Sequence, residues 1–328
     1  MAKKTQSILS RRNALRLGTM TAALSLSAGR RVFAQGENFP TSWTFGDVTV
    51  TKVLDDIGPY DAAAAYPGAP LAAFEKNEDW LVPHFYDPAS KAIIFSYHSY
   101  VVRTQGKTLI VDTCIGNDKS RTRLAKWDMR KGPYLENLRA AGVNPEDVDY
   151  VTCTHFHSDH TGWNTRLFDG KWVPTFPNAK YLFSRAELEN VQARIKAGGG
   201  DATSYNDSIL PILDAGRAEI IDGVRPVFDG VVINPSPGHT PGHHSVNIDS
   251  GGQHAVLAGD ILHSPMEVLY PEWTCLFDQD KGHGVEGRMT FLKQYTDSDV
   301  TIFAAHFSGP TAGKIVSTAD GGRMFKTL

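Results

Sequence analysis

Cysteine is scarce in this chain, which has only Cys114, Cys153 and Cys275 among its 328 residues. A small domain held together by disulfides would carry more thiols, in an even number, so that class of protein is excluded. Cys153 lies in an apolar run that predicts a strand, and we interpret it as a small buried residue. The spacing leaves open whether any two of the cysteines form a bridge.

The chain also lacks an excess of positive charge and a long apolar run. Its formal net charge is −3, and 21% of its residues are charged, so it has none of the basic excess that marks a nucleic-acid-binding protein. A membrane-spanning helix needs roughly 20 apolar residues in a row, and the apolar run near the N-terminus is shorter. We therefore expect no nucleic-acid partner and no stable membrane insertion of the mature chain.

The first 34 residues have the order of an export signal. Arg11 and Arg12 follow a basic start, a weakly apolar run covers residues 17–28, and small residues allow cleavage after Ala34. The adjacent arginines resemble the twin-arginine pattern of bacterial proteins that are exported already folded. An amphipathic or disordered tail is the alternative. We predict a signal peptide over residues 1–34 and a periplasmic or secreted protein.

After residue 35 short strand patterns recur in both halves of the chain. They occur at residues 48–54, 92–97, 100–102, 108–113, 149–154, 179–183, 218–221, 231–234, 245–248, 255–258 and 301–304. Helix patterns cover residues 133–141 and 287–295, and a third helix should start after Ser184, because Ser184 and Glu187 have the spacing of a capping box. Residues 56–90 show no steady period and predict a long loop near the site.

Strand-rich halves with helices between the strands predict an α/β fold. The expected architecture is an αββα sandwich, in which two mixed β-sheets stack face to face and helices cover their outer faces. No shift in composition marks a boundary after residue 35. We therefore predict one domain over residues 35–328.

A dense cluster of potential metal ligands directly follows one predicted strand. His155, His157, Asp159 and His160 lie within six consecutive residues. In an extended turn His155 and His157 project from the same side and can chelate one cation, while Asp159 and His160 point to a neighbouring position. Imidazoles combined with carboxylates suit zinc, iron or manganese. Because the cluster has no thiolate, an open catalytic site is favoured over a closed structural zinc site.

Three later segments each bring a potential ligand after an apolar strand. His239 lies in the restrained sequence Pro-Gly-His-Thr-Pro-Gly, Asp260 follows Ala-Gly, and His306 follows Ala-Ala. A side chain at the end of a strand is held more rigidly than one in a long loop. The four segments are therefore expected to meet at one edge of the two sheets.

The order of these motifs resembles the metallo-β-lactamase superfamily over residues 45–315. The nearest resemblance is to its methyl-parathion-hydrolase-like and lactonase-like branch, which shares the run Val111-Asp112-Thr113. The resemblance implies two divalent metal ions per chain, most commonly Zn²⁺. The ligands it implies are His155, His157 and His239 for one ion and Asp159, His160 and His306 for the other, with Asp260 bridging both.

Two positions depart from the pattern of that superfamily. Cys114 stands where a glycine is usual, and we interpret it as a tolerated small residue rather than a residue of the site. Asp260 stands where zinc β-lactamases of the best-known subclass have a cysteine. This second departure argues against penicillin-type substrates.

The resemblance implies a metal-dependent hydrolase. Two cations ~3.5–4 Å apart lower the pKa of a bridging water towards 7, so that a hydroxide can attack a carbonyl or phosphoryl centre. We expect a small-molecule substrate, namely a lactone or related ester, and the chain could be a homodimer. The alternatives are a phosphotriester or β-lactam hydrolase, and a mononuclear iron oxygenase of the persulfide type on the same fold. Metal analysis separates these classes.

Several further residues are candidates for supporting roles. Asp159 could orient the nucleophile or accept its proton, and Tyr270 is a candidate hydrogen-bond donor to the substrate oxygen. Asp112 either orients a ligand imidazole or caps a loop. The histidines close to ligand motifs, which could support the ligands, are His243, His244 and His263. The loop aromatics that line either the pocket or the core are Trp80, Phe85, Trp163, Tyr270 and Trp273.

Overall fold

The computed structural model describes residues 41–122 and 124–328. The predicted signal peptide over residues 1–34 lies outside these residues, so export stays a prediction. Within the described ranges no helix is both long and apolar enough to cross a membrane.

Strands dominate the described chain. In chain order they are β1 (Ser42–Phe45), β2 (Val48–Asp61), β3 (Tyr86–Asp87), β4 (Ala92–Thr104), β5 (Lys107–Val111), β6 (Tyr150–Thr152), β7 (Thr165–Phe168), β8 (Lys171–Pro174), β9 (Lys180–Ser184), β10 (Ala218–Ile221), β11 (Arg225–Phe228), β12 (Val231–Pro235), β13 (His244–Ser250), β14 (Gln253–Gly259), β15 (Thr301–Ala304), β16 (Ala312–Ser317) and β17 (Arg323–Thr327). The predicted strands all correspond to members of this set.

The helices are mostly short. They are α1 (Ala62–Ala65), α2 (Ala72–Glu75), α3 (Glu78–Leu81), α4 (Tyr134–Ala140), α5 (Ser158–Thr161), α6 (Arg185–Lys196), α7 (Ala202–Ser204), α8 (Leu210–Asp214), α9 (Met266–Leu269) and α10 (Lys281–Tyr295). Single turns of 3₁₀-helix occur at Pro145–Asp147 and Gly162–Asn164, and a π-helical turn at Tyr205–Ile209 joins α7 to α8.

The strands form two large sheets, each taken from one half of the chain. The first has the order β1-β2-β4-β5-β6-β9-β10, with β3 beside β4, and the second runs from β11 to β17 in chain order. Both sheets are mixed. In the first sheet the pairs β5/β6, β6/β9 and β9/β10 are parallel, and in the second sheet β14 is parallel to β15, whereas the other pairs are antiparallel.

The apolar core between the sheets follows from the alternation of side chains along each strand. Leu109 and Val111 of β5 pack in one cluster with Val246 of β13 and Leu257 of β14, and all four are fully buried. Ile110, between the first two, points to the opposite face and belongs to another cluster. One strand of the first sheet therefore supplies both the central core and an outer layer.

Helices cover the outer faces. Tyr134 and Leu138 of α4 pack with Ile110 on the first sheet, while Phe291 and Leu292 of α10 pack with residues of the second sheet. The predicted αββα sandwich is confirmed.

The structure corrects the prediction that residues 56–90 form a long loop. Strand β2 continues to Asp61 because Gly58 and Pro59 still pair with β4, after a bulge between Leu54 and Asp56. Three helical turns and β3 follow, and Phe74 is among the residues that bury this segment in the core. Its Ala, Pro and Gly content hides the alternation that identifies a strand.

Two other boundaries differ from the prediction. The runs at 92–97 and 100–102 belong to the single strand β4, whose polar residues, such as Ser99, are buried and hydrogen-bonded. Helix α10 starts at Lys281 rather than Gly287, because the Asp280 carboxylate caps it by accepting the His283 N–H at 2.9 Å. Two glycines in its first turn conceal this start from a propensity argument.

Candidate metal centre

The predicted ligand residues all lie at one edge of the sandwich. The cluster of residues 155–160 follows β6, His239 follows β12, Asp260 follows β14 directly, and His306 follows β15. The structure brings the seven side chains together as two groups of three with Asp260 between them. Each group takes two residues from the first half of the chain and one from the second.

The first group consists of three imidazoles whose nitrogens face one another. His155 Nε2 lies 2.9 Å from His157 Nδ1, and His239 Nε2 lies 3.0 Å from His157 Nδ1 and 3.2 Å from His155 Nε2. Burial lowers the pKa of His157 to about 4. Burial also lowers the pKa of His155 and of His239 well below the usual value, so all three rings are neutral at pH 7.

The second group consists of Asp159, His160 and His306. His160 Nε2 lies 3.3 Å from His306 Nε2, and Asp159 Oδ2 lies 3.6 Å from His306 Nε2 and 3.9 Å from His160 Nε2. Burial opposes a charge on His160, but the carboxylates of Asp260, Asp112 and Asp159 raise its pKa well above the usual value. These carboxylates favour positive charge at this position, whether a proton or a metal ion carries it.

One oxygen of Asp260 lies between the two groups. Its Oδ2 is 3.2 Å from His306 Nε2 and 3.3 Å from His160 Nε2, and it is 3.6 Å from His239 Nε2 and 3.7 Å from His155 Nε2. Burial opposes ionisation of this carboxyl, but the neighbouring histidines lower its pKa well below the usual value. An ionised carboxylate between two donor groups is positioned to bridge two cations.

The donor set fits two metal ions. Ligands of a tetrahedral zinc with Zn–N bonds near 2.0–2.1 Å are about 3.3 Å apart, and the nitrogens of the first group are 2.9–3.2 Å apart. Neutral imidazoles whose acceptor nitrogens face one another in a buried pocket need a shared electrophile. The first group meets this test with three imidazoles, and the second offers two imidazoles and a carboxylate around a position that favours positive charge.

Other residues hold the ligand rings from behind. Asp112 Oδ2 lies 2.9 Å from His160 Nδ1, which is the contact expected if Asp112 orients a ligand imidazole. Asp112 Oδ1 also accepts the Thr154 N–H at 2.7 Å. Asp278 Oδ1 lies 2.9 Å from His239 Nδ1. Contacts of this kind fix the tautomer and the orientation of a metal-binding imidazole. Sequence reasoning did not identify Asp278, because it lies far from every ligand motif.

His243 positions the candidate bridging carboxylate through the backbone. Its Nε2 accepts the Asp260 N–H at 3.1 Å, and its Nδ1 lies 2.9 Å from Ser236 Oγ. Gly259 allows this approach, since its φ is +57° and a Cβ there would lie 2.5 Å from His243 Nε2. His244, by contrast, points to Thr152 Oγ1 at 2.9 Å and touches no candidate ligand in the described contacts.

His263 lies closer to the centre than the sequence suggested. It is buried, its Nε2 is 3.4 Å from Asp260 Oδ2, and it lines the cavity in front of the metal groups. Glu267 lies behind it, 3.4 Å from Nδ1. Arg288, fully buried on α10, pairs with both Glu267 and Asp278 at 2.9 and 3.3 Å, so one guanidinium joins the carboxylates behind His263 and His239.

A cavity of about 680 Å³ opens in front of the two groups. Both apolar and polar side chains line this cavity. The larger apolar residues are Tyr60, Phe95, Tyr97, Leu124, Trp127, Leu276 and Phe277. Arg121 anchors the loop that carries Leu124 and Trp127. It donates two hydrogen bonds, of 2.7 and 3.0 Å, to the buried Asp207 of the π-helical turn.

The structure does not place Tyr270 in this cavity. Its ring stacks on Trp273 at a centroid distance of 4.6 Å, and neither residue is part of the cavity wall. Trp163 is buried and stacks on Tyr134, while Phe85 belongs to the core cluster and the partly buried Trp80 packs against it. The loop aromatics named from the sequence therefore pack internally, and rings from β2, β4 and other loops form the wall instead.

The cysteines are all buried and unpaired. Cys114 contacts Ser99 Oγ at 3.3 Å and does not line the cavity. Cys153 is buried, as predicted.

Comparison with known proteins agrees with this geometry. A family model of the metallo-beta-lactamase superfamily matches residues 94–315, more than half of the chain. An N-acyl homoserine lactonase from Bacillus cereus is 33% identical over 120 residues, 37% of this chain. The match spans only 40% of that relative's own length.

Two solved structures share the fold over most of their length. AidC, a dizinc quorum-quenching lactonase, superposes with a TM-score of 0.70 at 23% identity, covering 88% of this chain and 96% of its own. The hydrolase AbOPH of the beta lactamase superfamily gives a TM-score of 0.69 at 24% identity, with the same coverage. At these identities the likeness supports the fold.

Proposed function

Because the chain belongs to the metallo-beta-lactamase superfamily, we propose that it is a hydrolase that holds two zinc ions and cleaves a lactone or related ester. The observation that carries this proposal is the position of Asp260 Oδ2, within 3.2–3.7 Å of imidazole nitrogens from both donor groups. A single ion would need only one of the groups. The second group favours a two-metal hydrolase over a mononuclear iron oxygenase.

Different residues of this chain would have different roles in such a reaction. His155, His157 and His239 would hold one ion and Asp159, His160 and His306 the other, with Asp260 between them. When bound, two cations acidify a water molecule and polarise the substrate's carbonyl or phosphoryl oxygen. Of the two proposed carboxylate ligands, Asp159 has the more exposed side chain, at 15% against 4% for Asp260. Asp159 also lines the cavity. It is therefore placed to orient a water or accept its proton.

The cavity supports a small, partly apolar substrate. Its volume of about 680 Å³ suits a small molecule, and rings such as Tyr97 and Phe277 can exclude water from the reacting ester. Similarity to N-acyl homoserine lactonases supports a lactone as the first substrate class to test. Phosphotriesters and β-lactams remain the alternatives within the hydrolases.

A substrate screen tests this proposal. Purified protein loaded with zinc should hydrolyse lactones with a higher kcat/KM than aryl esters, phosphotriesters or β-lactams, all assayed at one pH and metal concentration. Zinc content is measured on the same preparation, and a value near two per chain is expected. If only phosphotriesters were turned over, the substrate would be a phosphotriester and not a lactone. Full turnover with one iron per chain would refute the proposal of two zinc ions.

We also propose that the chain is exported in the folded state to the periplasm or beyond, on the strength of Arg11 and Arg12. Changing both to lysine should retain the unprocessed precursor in the cytoplasm, because the twin-arginine route reads the paired arginines. The matched control changes the pair Arg30 and Arg31 to lysine in the same way, and it should leave export intact. Cell fractionation with immunoblotting provides the measurement, and unchanged export of the first variant would contradict the proposal.

A further inference from the structure

Glu187 is a buried carboxylate that the catalytic proposal does not use. It lies in the first turn of α6, where Ser184 Oγ accepts its N–H at 3.4 Å, so the predicted helix start is confirmed. Its side chain extends away from the helix end. It is only 3% exposed and points towards the loops that carry the first metal group.

Three hydrogen bonds connect this carboxylate to two separate ligand loops. Glu187 Oε1 accepts the Phe156 N–H at 3.1 Å. Glu187 Oε2 accepts the Thr240 hydroxyl at 2.8 Å and the Gly242 N–H at 3.1 Å. Phe156 lies between His155 and His157, and Thr240 directly follows His239. One side chain therefore holds the backbone next to all three residues of the first group.

The close approach of the second loop to α6 depends on a glycine. A Cβ at Gly242 would lie 2.1 Å from the Glu187 backbone nitrogen. The absence of that Cβ lets the loop reach the carboxylate with its own N–H. Burial raises the pKa of Glu187, and the bonds from Thr240, Phe156 and Gly242 oppose this rise.

The contacts require a carboxylate rather than an amide. All three partners donate a proton, so both oxygens of residue 187 must accept. A glutamine has one oxygen and one NH₂ group, and in either orientation the NH₂ group would face a donor. The substitution Glu187→Gln thus keeps the shape of the side chain but releases one of the two loops.

The second metal group is held by different contacts. His160 is oriented by Asp112 at 2.9 Å, and His306 Nδ1 lies 3.1 Å from the Ser96 carbonyl oxygen. Neither contact involves α6. A change at Glu187 should therefore act on one group and spare the other.

We infer that Glu187 is a positioning residue that sets the affinity of the first metal group by clamping the His155–His157 turn to the His239 loop. This inference rests on the proposed two-metal centre. Loss of a contact that supports a metal site typically weakens binding by about 10- to 100-fold. That loss should fall on one of the two zinc ions.

Zinc titration of the metal-free protein against a chromophoric chelator tests the inference. Glu187→Gln should weaken one of the two zinc affinities by about 10- to 100-fold and change the other by less than about threefold. The matched control is Glu189→Gln, an exposed glutamate on the same helix, which should bind both ions like the wild type. Equal weakening of both sites, or none, would overturn the inference.

Double variants identify the affected group. His306→Ala removes a residue of the second group, so adding Glu187→Gln should weaken the remaining zinc by the same about 10- to 100-fold. In a His239→Ala background the first group is already disrupted. Adding Glu187→Gln there should leave the affinity for the remaining zinc almost unchanged. Equal effects in the two backgrounds would show a general loss of stability and refute the clamp.

A milder variant covers the case in which Glu187→Gln does not fold. Thr240→Val removes one of the three hydrogen bonds and keeps the shape of the side chain, so it should weaken the same zinc to a smaller extent. Wild-type zinc binding by this variant would count against the clamp. Absence of zinc binding by the wild type itself would instead refute the proposed function, so the two failures are distinguishable.

Discussion

Replacing Asp260 by alanine is expected to lower kcat/KM by about a thousandfold or more and to reduce the bound zinc below two per chain. The carboxylate contacts nitrogens of both groups within 3.7 Å, so its loss removes a donor from each. Metal ions contribute several kcal/mol of transition-state stabilisation, and about 4 kcal/mol corresponds to a factor of 10³ in rate. Steady-state kinetics and metal analysis of one preparation measure both effects.

The control for this variant is Asp229→Ala, which removes an exposed aspartate in the turn between β11 and β12. It should retain both the activity and the zinc content of the wild type. Asp260→Asn adds information, because it keeps the size of the side chain and removes only the charge. An Asp260→Ala protein with full activity and two zinc ions would exclude the bridging role.

Removing the metals from the wild-type protein is expected to abolish hydrolysis and to lower the melting temperature. A ligand that binds only the folded state at 1,000 times its Kd adds about 4 kcal/mol of stability. At roughly 2–4 °C per kcal/mol for a domain of about this size, chelation should lower the Tm by about 8–16 °C. Calorimetry before and after treatment with a chelator measures the shift.

Restoring zinc should recover both the activity and the Tm, whereas magnesium should recover neither, because imidazole donors suit zinc better. Turnover that persists in protein verified to be free of metal would exclude the hydrolase mechanism. A Tm that chelation leaves unchanged, with both ions verified as removed, would contradict the stabilising role of the centre.

The clustering of the candidate ligands could be predicted from the sequence because the information is local. The spacing of His155 to His160 and the positions of Asp260 and His306 after apolar strands can be read without knowing the fold. The two-sheet architecture was also predictable, since strand alternation and the helix start at Ser184 depend on neighbouring residues.

The supporting contacts and the cavity wall were not predictable in the same way. Glu187 and Asp278 lie far along the chain from the loops they hold, and no spacing rule connects them to a histidine. Tyr270 lies near a ligand motif in sequence, but its stacking on Trp273 depends on the packing of the whole segment. Tertiary packing decides which aromatic rings face the cavity.

The division of each metal group between the halves of the chain has a consequence for assembly. In both groups two donors follow strands of the first sheet and one follows a strand of the second. A nascent chain that has completed only the first half offers each ion just two donors, which is a weak chelate. In the proposed two-metal centre, tight binding requires donors from both halves of the chain, so we expect the ions to bind only after both halves have folded.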